Sequence, residues 1–329
     1  MNERISHRDL YWDSLKGFLI ILVVVGHFIK SSHGFLPEGS VAWIYSFHMP
    51  LFMFISGYFT NSEKSWNKLI GRLSEPLLVF TIILLLCPFN FHWYNFPCGA
   101  SWYLFVLIIY RSGLKLYHKY IGSKLVPLII VSFILGIIIN ILPHTRIMSI
   151  DRCFYFAPFF LLGTYVKQKQ ACLDIIQGGK NSIWPIRIGL LLLFLLIMCL
   201  LPFRTELFWL FEAKYKASDI ITSRLAFVVI RIICYIVSLI ICVLVLKSIK
   251  PNKILVSLGQ YSLGIYVWHY VLVCCFRLFN EHLCLPQEMW FTLPLSIVVI
   301  FVSYLFSKTE VSQLILNPIT AIAKKQKNK

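Results

Sequence analysis

The side chains that could do chemistry in this sequence are basic groups that interrupt long apolar segments. Lys16 and His27 lie in the first such segment, His48 lies in the second and His269 in the ninth. Placing an ionisable group at membrane depth costs kilocalories, so such a group marks a functional interior by default. A neutral imidazole can also take up a proton near pH 7. The pattern therefore predicts a site that handles protons within the apolar part of the protein.

The first segment carries its polar groups in one stripe. Lys16 and His27 are about three helical turns apart, so they share a face at a separation of roughly 16 Å. Asp13, one turn before Lys16, adds a charge pair at the inner mouth. Ile20 and Val23 lie between the two basic residues, and a long, thin substrate could occupy a groove along them. In the alternative interpretation, Lys16 reaches the lipid headgroups and His27 packs as a neutral polar residue.

The second segment places an imidazole beside a proline. Pro50 lacks an N–H group and its ring clashes with the preceding turn, so it predicts a kink that frees the carbonyl of Ser46. We expect His48 in the outer half of the membrane, at a depth similar to that of His27. Two imidazoles near a kinked backbone favour a proton-handling site. The alternative is a kink that aids packing, with His48 hydrogen-bonded to a neighbour.

Other basic residues allow two interpretations each. His269 follows the small residues Gly259 and Gly264, which permit close helix contacts and explain that stretch by packing alone. Arg152 opens the sixth segment and could simply cap its helix in water. Arg224 and Arg231 are seven residues apart on the eighth segment, hence on one face, and either bind an anion or form structural pairs.

Ten apolar segments must position these residues. Of the 329 residues, 58% are hydrophobic and 14% are charged, whereas a soluble domain has roughly 45–50% and 25%. A spanning helix needs about 20 apolar residues. We expect an all-α, polytopic membrane bundle, a single domain over residues 1–329, with about ten transmembrane helices at 15–31, 41–60, 74–89, 100–117, 124–142, 151–166, 184–202, 220–246, 255–278 and 289–307.

The distribution of charge predicts the topology and excludes one class of partner. The net charge of +17 comes mostly from Lys and Arg in short gaps between apolar segments, as in juxtamembrane loops. No folded region is left over to hold a polynucleotide, so we predict no nucleic-acid partner. Every loop that this topology places inside is basic, whereas the outward loop at 90–99 carries no charge. The positive-inside rule therefore predicts that both termini are cytoplasmic.

Several common catalytic motifs are absent from the sequence. It contains no serine-esterase elbow, zinc motif, phosphate-binding glycine loop or dinucleotide fingerprint. We therefore predict no metal site, and any chemistry must come from His, Lys and Arg.

Sequence blocks in a fixed order resemble the integral-membrane acyltransferase family 3, close to its fucose 4-O-acetylase-like branch. They span almost the whole chain, and the Lys-x10-His spacing with the Phe-His-Met-Pro block is quite specific. The blocks are Asp13-x-Leu15-Lys16-Gly17 with Gly26-His27, Ser46-Phe47-His48-Met49-Pro50-Leu51-Phe52 with Ser56-Gly57-Tyr58-Phe59, Trp102-Tyr103-Leu104, Arg152 with Pro158-Phe159-Phe160-x-x-Gly163, and Leu258-Gly259-x-Tyr261-Ser262-Leu263-x-Ile265-Tyr266-x-x-His269.

The resemblance implies a membrane O-acyltransferase. Such an enzyme moves an acyl group, usually acetyl, from cytoplasmic acyl-CoA to a hydroxyl of a cell-surface glycan or a lipid-linked sugar. Acetyl-CoA would be a donor substrate, and no permanently bound cofactor is implied. The expected location is the inner or plasma membrane, with the lipid bilayer as a partner.

The resemblance and the chemistry of acyl transfer together suggest a role for each candidate residue. His27 would be the catalytic base, with His48 as a second catalytic imidazole. The other roles are donor binding and contact with the substrate or the oxyanion. We assign donor binding to Lys16, Arg72 and Asp13, and substrate or oxyanion contact to Arg152, Trp102 and His269.

One departure from the family and two competing functions bear on this assignment. The family often shows two spaced arginines after the second helix, whereas this chain reads Lys68-Leu69-Ile70-Gly71-Arg72, so only Arg72 is a clear counterpart. A transporter or flippase of a glycan precursor would use the same intramembrane ions as a pathway. Against it, the sequence has no inverted repeat and no matched pair of broken helices. A scaffold without catalysis would leave the buried Lys and His residues unexplained.

Overall fold

The described part of the chain is built from α-helices. This computed structural model describes residues 7–30, 32, 35–86, 96–97, 99–141, 147–169, 184–199, 204–213, 223–283 and 285–318, and within these ranges no residue is in a β-strand. We number the α-helices of these ranges in chain order: α1 His7–Ile29, α2 Phe35–Tyr58, α3 Trp66–Leu86, α4 Trp102–Tyr120, α5 Leu125–Ile138, α6 Ile150–Gln168, α7 Trp184–Cys199, α8 Arg204–Glu212, α9 Arg224–Ser248, α10 Lys253–Gln260, α11 Ser262–Leu283, α12 Met289–Lys308 and α13 Glu310–Leu316.

Several of these helices are long and apolar enough to cross a membrane. By length and composition, five stretches qualify among the described residues: Leu10–Ile29, Leu69–Leu86, Arg224–Ser248, Ser262–Asn280 and Met289–Lys308. Two shorter helical stretches, Leu125–Ile138 and Trp184–Ile197, are also apolar. The chain is therefore an all-helical membrane protein. A helix covers most of each of the ten predicted segments, and a second helix begins the ninth, whereas ten spans stay a prediction.

The chain forms two compact units, and the first contains most of the long apolar helices. It consists of residues 1–31, 61–121 and 251–329. Within this unit α1 packs against α10, α11 and α12, while α3 packs against α4, and α13 contacts α3 and α12. Helix α1 is thus the central element of the first unit.

Glycines let α1 and α10 approach each other at backbone distance. A Cβ atom added at Gly17 of α1 would overlap the carbonyl oxygen of Leu255, and one added at Gly259 of α10 would overlap the carbonyl of Asp13. Ser14 and Asn252 support the same crossing, since the backbone N–H of Asn252 donates to Ser14 Oγ at 3.0 Å. Small residues at helix crossings allow such close packing in membrane proteins. The expectation of close helix contacts at Gly259 is confirmed.

The second unit has a similar crossing between α2 and α6. It consists of residues 32–60 and 122–250, and α2 packs against α6, α7, α8 and α9. A Cβ at Gly57 would overlap the carbonyl of Phe160, and a Cβ at Gly163 would overlap the carbonyl of Phe54. Thr164 Oγ1 also donates to the Gly57 carbonyl at 3.2 Å. The single-domain prediction over residues 1–329 stays a prediction.

The structure corrects the ninth predicted segment, residues 255–278. It contains two helices instead of one, because α10 ends at Gln260 and α11 begins at Ser262. The backbone of Tyr261 has φ −101° and ψ 12°, outside the α-helical range. Gly259 and Gly264 flank this break, and glycine has a low helix propensity.

We predict that Gly17→Ala destabilises the protein. The new methyl group must displace the backbone of α10, and overpacking of this kind costs about 1–3 kcal/mol. Gly113→Ala in α4 is a matched control, because nothing lies within 4 Å of its Cβ position. Thermal unfolding of the detergent-solubilised protein should show a lower midpoint for Gly17→Ala and an unchanged or higher one for Gly113→Ala. Equal midpoints for both variants would contradict the close crossing.

Candidate functional site

The N-terminal half of α1 carries the predicted charge pair. Lys16 Nζ lies 2.6 Å from Asp13 Oδ1, one turn away, and the two side chains are 29% and 17% exposed. Lys16 also has a further interaction within the protein. A half-buried ion pair can exchange one partner for a ligand at lower cost than a fully buried one. That the pair binds the donor stays a prediction.

The stripe that joins Lys16 to His27 faces the interior of the first unit. Ile20 and Val23 on this face are 0% and 3% exposed. The half-buried residues Phe18, Ile21, Leu22 and Val25 lie on the opposite face of α1. His27 is therefore directed into the unit.

The groove that we expected along this stripe is closed. Ile20 and Val23 have almost no exposed surface, so packed side chains fill the space between Lys16 and His27. The periodicity of a sequence shows which residues share a face. It does not show whether a neighbouring helix fills the space beside that face, and here α10, α11 and α12 pack against α1.

His27 belongs to a cluster of polar rings contributed by α1 and α11. Its ring centre lies 5.4 Å from that of His269 and 5.3 Å from that of Tyr270. Tyr266 is one turn before His269, with ring centres 5.7 Å apart. We call His27, Tyr266, His269 and Tyr270 the imidazole cluster. The structure thus brings together two of the histidines singled out in the sequence.

A hydrogen bond to the backbone fixes the proton on His269. Its Nδ1 lies 2.9 Å from the carbonyl oxygen of Ile265. A carbonyl oxygen can only accept, so Nδ1 must carry the hydrogen, and in the neutral ring Nε2 then carries the lone pair. His269 is fully buried, and no described residue forms a hydrogen bond with its Nε2. The cluster therefore contains a buried acceptor without a donor.

A short turn before α4 closes over the two tyrosines of the cluster. The Tyr266 hydroxyl donates to the carbonyl of Ala100. A Cβ at Gly99 would lie 2.5 Å from the Tyr270 hydroxyl, and Gly99 has φ +50°, which glycine tolerates. Trp102 begins α4 directly after this turn and is 8% exposed. Its predicted contact with the substrate or the oxyanion stays a prediction.

His48 lies in the second unit and is bound to its own helix. It is 3% exposed, its Nδ1 lies 2.7 Å from the Ile44 carbonyl, and its ring centre lies 4.7 Å from that of Tyr45. Three residues before Pro50, Cys242 Sγ contacts the Phe47 carbonyl at 3.7 Å, and the predicted kink stays a prediction. A hydrogen bond from His48 to a neighbour was one of the two interpretations open from the sequence. A catalytic role for His48 stays a prediction.

Arg152 and Arg231, both in the second unit, hold the end of the short helix α8. Arg152 Nη2 donates to Glu212 Oε1 at 2.9 Å, and its Nε donates to the Glu212 carbonyl at 3.2 Å. Arg231 is fully buried and its Nη1 donates to the Leu210 carbonyl at 2.5 Å. The last carbonyls of a helix lack helical donors and carry a partial negative charge, which cations stabilise. The two arginines therefore cap α8.

For the arginine pair on the eighth segment, these contacts fit the structural interpretation at Arg231, and binding of an anion stays a prediction. Arg231 forms structural pairs, and its guanidinium also lies over the Tyr155 ring at 4.7 Å. Arg224 is exposed at the first turn of α9. Contact of Arg152 with the substrate stays a prediction. Arg72 lies in α3, but its side chain is outside the described residues.

Sequence reasoning missed Tyr270 and Glu212. Tyr266, His269 and Tyr270 have the i, i+3, i+4 spacing of one helix face, which could have added Tyr270 to the site. Glu212 is one of only 14 acidic residues in the chain. Its partner Arg152 is 60 residues away, so no local pattern indicates the pair.

Comparison with known proteins shows the family. Residues 9–308 match the profile of the acyltransferase 3 family, described as an acyltransferase domain. The chain belongs to this family. The resemblance inferred from the sequence blocks is thereby confirmed, and with it the prediction of an acyltransferase at the level of the family.

Three named relatives match parts of this family member. Nodulation protein NolL of Sinorhizobium fredii (strain NBRC 101917 / NGR234) is 38% identical over 82 residues, 22% of each chain. "Putative acetyltransferase ORF330" of Acidianus two-tailed virus is 29% identical over 192 residues, 56% of this chain and 50% of the viral protein. Glucans biosynthesis protein C of Escherichia coli (strain K12) is 30% identical over 138 residues, 36% of this chain and 34% of that protein. The match thus covers half or less of each relative, and no solved structure matches significantly.

We predict that Arg152 and Glu212 are energetically coupled. Arg152→Ala and Glu212→Ala each leave a largely buried charge without its partner, which is strongly destabilising. The double variant removes both charges, so its loss of stability should be smaller than the sum of the single losses by about 0.5–3 kcal/mol. Unfolding of the three variants in detergent measures this difference. Additive losses would show that the two side chains are not coupled.

Proposed function

We propose that the protein is a membrane O-acyltransferase that moves an acetyl group from cytoplasmic acetyl-CoA to a hydroxyl of a glycan or a lipid-linked sugar. The observation that carries this proposal is the position of His27, directed into the first unit against His269 and Tyr270. Family membership supplies the reaction class. The names of two relatives, an acetyltransferase and a glucan biosynthesis protein, support an acetyl donor and a glycan acceptor.

The reaction needs a base, and His27 is our candidate. The acceptor hydroxyl oxygen attacks the thioester carbonyl carbon while its proton passes to an imidazole nitrogen of His27. The tetrahedral oxyanion then collapses, the C–S bond breaks, and the CoA thiolate takes the proton from the His27 imidazolium. The products are the O-acetyl ester and CoA, and the enzyme returns to its starting state.

The developing oxyanion needs hydrogen-bond donors. Trp102 Nε1–H is our candidate in the first unit, because an indole N–H can only donate. The neutral tautomer of His269 presents a lone pair at Nε2, so in that state it accepts hydrogen bonds at this atom and donates none. This geometry favours a role for His269 other than the predicted oxyanion contact.

The donor must reach His27 from the cytoplasmic side. We propose that the protein lies in the inner or plasma membrane and crosses it ten times, with both termini in the cytoplasm. This orientation places the Asp13–Lys16 pair at the inner face. Lys16 and Arg72 would then bind the phosphates of CoA. Since Ile20 and Val23 are packed, these side chains must separate before the slender pantetheine arm can pass toward His27.

We predict that purified protein in lipid nanodiscs transfers label from [14C]acetyl-CoA to a membrane glycan fraction. His27→Ala should lower this transfer on the order of 10²–10⁴-fold, because the base is lost. Folding, measured by elution of a single species, and binding of acetyl-CoA should stay near those of the wild type. His118→Ala is the control, since His118 lies outside the imidazole cluster, with its Nδ1 2.7 Å from Ser62 Oγ.

Two results would overturn the proposal. Near-normal transfer by His27→Ala would remove His27 from the reaction. Wild-type protein that moves a glycan precursor across the bilayer without labelling it would indicate a transporter.

A further inference from the structure

The buried lone pair of His269 suggests how the catalytic imidazole is aligned. We infer that His269 is a positioning residue whose Nε2 accepts a hydrogen bond from His27 and thereby selects the reactive nitrogen of His27. This inference rests on the proposed function, in which His27 is the base. In that reaction His269 orients His27, and the Ile265 carbonyl keeps the proton of His269 on Nδ1.

The first step of the argument is the direction of the hydrogen bond at Ile265. The carbonyl accepts from Nδ1–H at 2.9 Å, which leaves Nε2 as an acceptor in the neutral ring. A buried acceptor without a donor loses the hydrogen bond that water would give it, which destabilises the folded state. Nε2 of His269 is such an atom among the described residues. A donor that reached this atom would therefore be stabilised.

The second step is the choice of donor within the imidazole cluster. The Tyr266 hydroxyl already donates to Ala100, and Tyr270 follows His269 directly on the same helix, where adjacent side chains do not face each other. His27 is the remaining member with a proton to donate. Two imidazoles joined by an N–H···N bond have ring centres about 5 Å apart, and the centres of His27 and His269 are 5.4 Å apart. The separation of the two rings is therefore close to that of a hydrogen-bonded pair.

The third step is the consequence for His27. If one nitrogen of a neutral imidazole donates N–H to His269, the other nitrogen carries the lone pair. That nitrogen can accept the proton of the acceptor hydroxyl. The proton stays on His27 until the CoA thiolate removes it, and His269 neither gains nor loses a proton. A base oriented by a further group is the arrangement that nucleophilic catalysis commonly requires.

Three substitutions of His269 test this inference in the full-length protein in nanodiscs. The amide oxygen of His269→Gln can reach the position of Nε2 and accept the bond from His27. The shorter side chain of His269→Asn reaches only the position of Nδ1. His269→Phe keeps a ring of similar size without an acceptor.

We predict that His269→Phe and His269→Asn lower kcat roughly 10²-fold, with the KM for acetyl-CoA nearly unchanged. The kcat of His269→Gln should be at least about tenfold higher than that of the other two variants, since a hydrogen bond to a charged group contributes about 1.5–3 kcal/mol. Solid-state NMR of 15N-histidine protein gives a readout that does not depend on turnover. It should show a protonated Nδ1 and an unprotonated Nε2 for the signal that disappears in His269→Gln.

The outcomes separate this inference from the proposed function. Inactive wild-type protein, or active His27→Ala, overturns the proposed function. Active wild type and inactive His27→Ala, together with a near-normal His269→Phe, overturn the inference alone. Equal activity of folded Gln and Asn variants, or an Nε2–H tautomer by NMR, also overturns it.

Discussion

The backbone contact between α1 and α10 is the constraint on which the first unit depends. Gly17 and Gly259 remove two Cβ atoms at the crossing, so each helix presents a carbonyl to the Cα of the other. Without a hydrophobic driving force between helices in lipid, close packing and weak polar contacts must hold such a pair. Because α11 follows α10 directly, the crossing also determines which part of α11 lies beside His27.

Buried polar groups in this protein are satisfied largely by backbone carbonyls. His48 and His269 each bind the carbonyl four residues earlier, while Arg152 and Arg231 bind carbonyls at the end of α8. Water is scarce in an apolar interior, so each polar side chain needs a partner from the protein. Such bonds also have a fixed direction, because a carbonyl only accepts. The backbone therefore determines where the protons of these side chains are.

Much of the helical architecture could be predicted from the sequence, because long apolar segments indicate helices directly. The inward direction of His27 followed from the three turns that separate it from Lys16. The packing of Ile20 and Val23 could not be predicted, since a face can line a groove or a neighbouring helix with the same residues. The pairing of Arg152 with Glu212 was missed for another reason: contacts across 60 residues leave no periodic signal.

The break at Tyr261 has a geometric effect on the candidate site. In an uninterrupted helix, ten residues would rotate His269 to a face about 80° away from that of Gly259. Both residues nevertheless meet α1, one at Asp13 and the other at His27. The non-helical residue between α10 and α11 frees the two segments from a common rotation. A small irregularity in the chain thus lets one short stretch of sequence pack against α1 at two points and place the His269 ring beside His27.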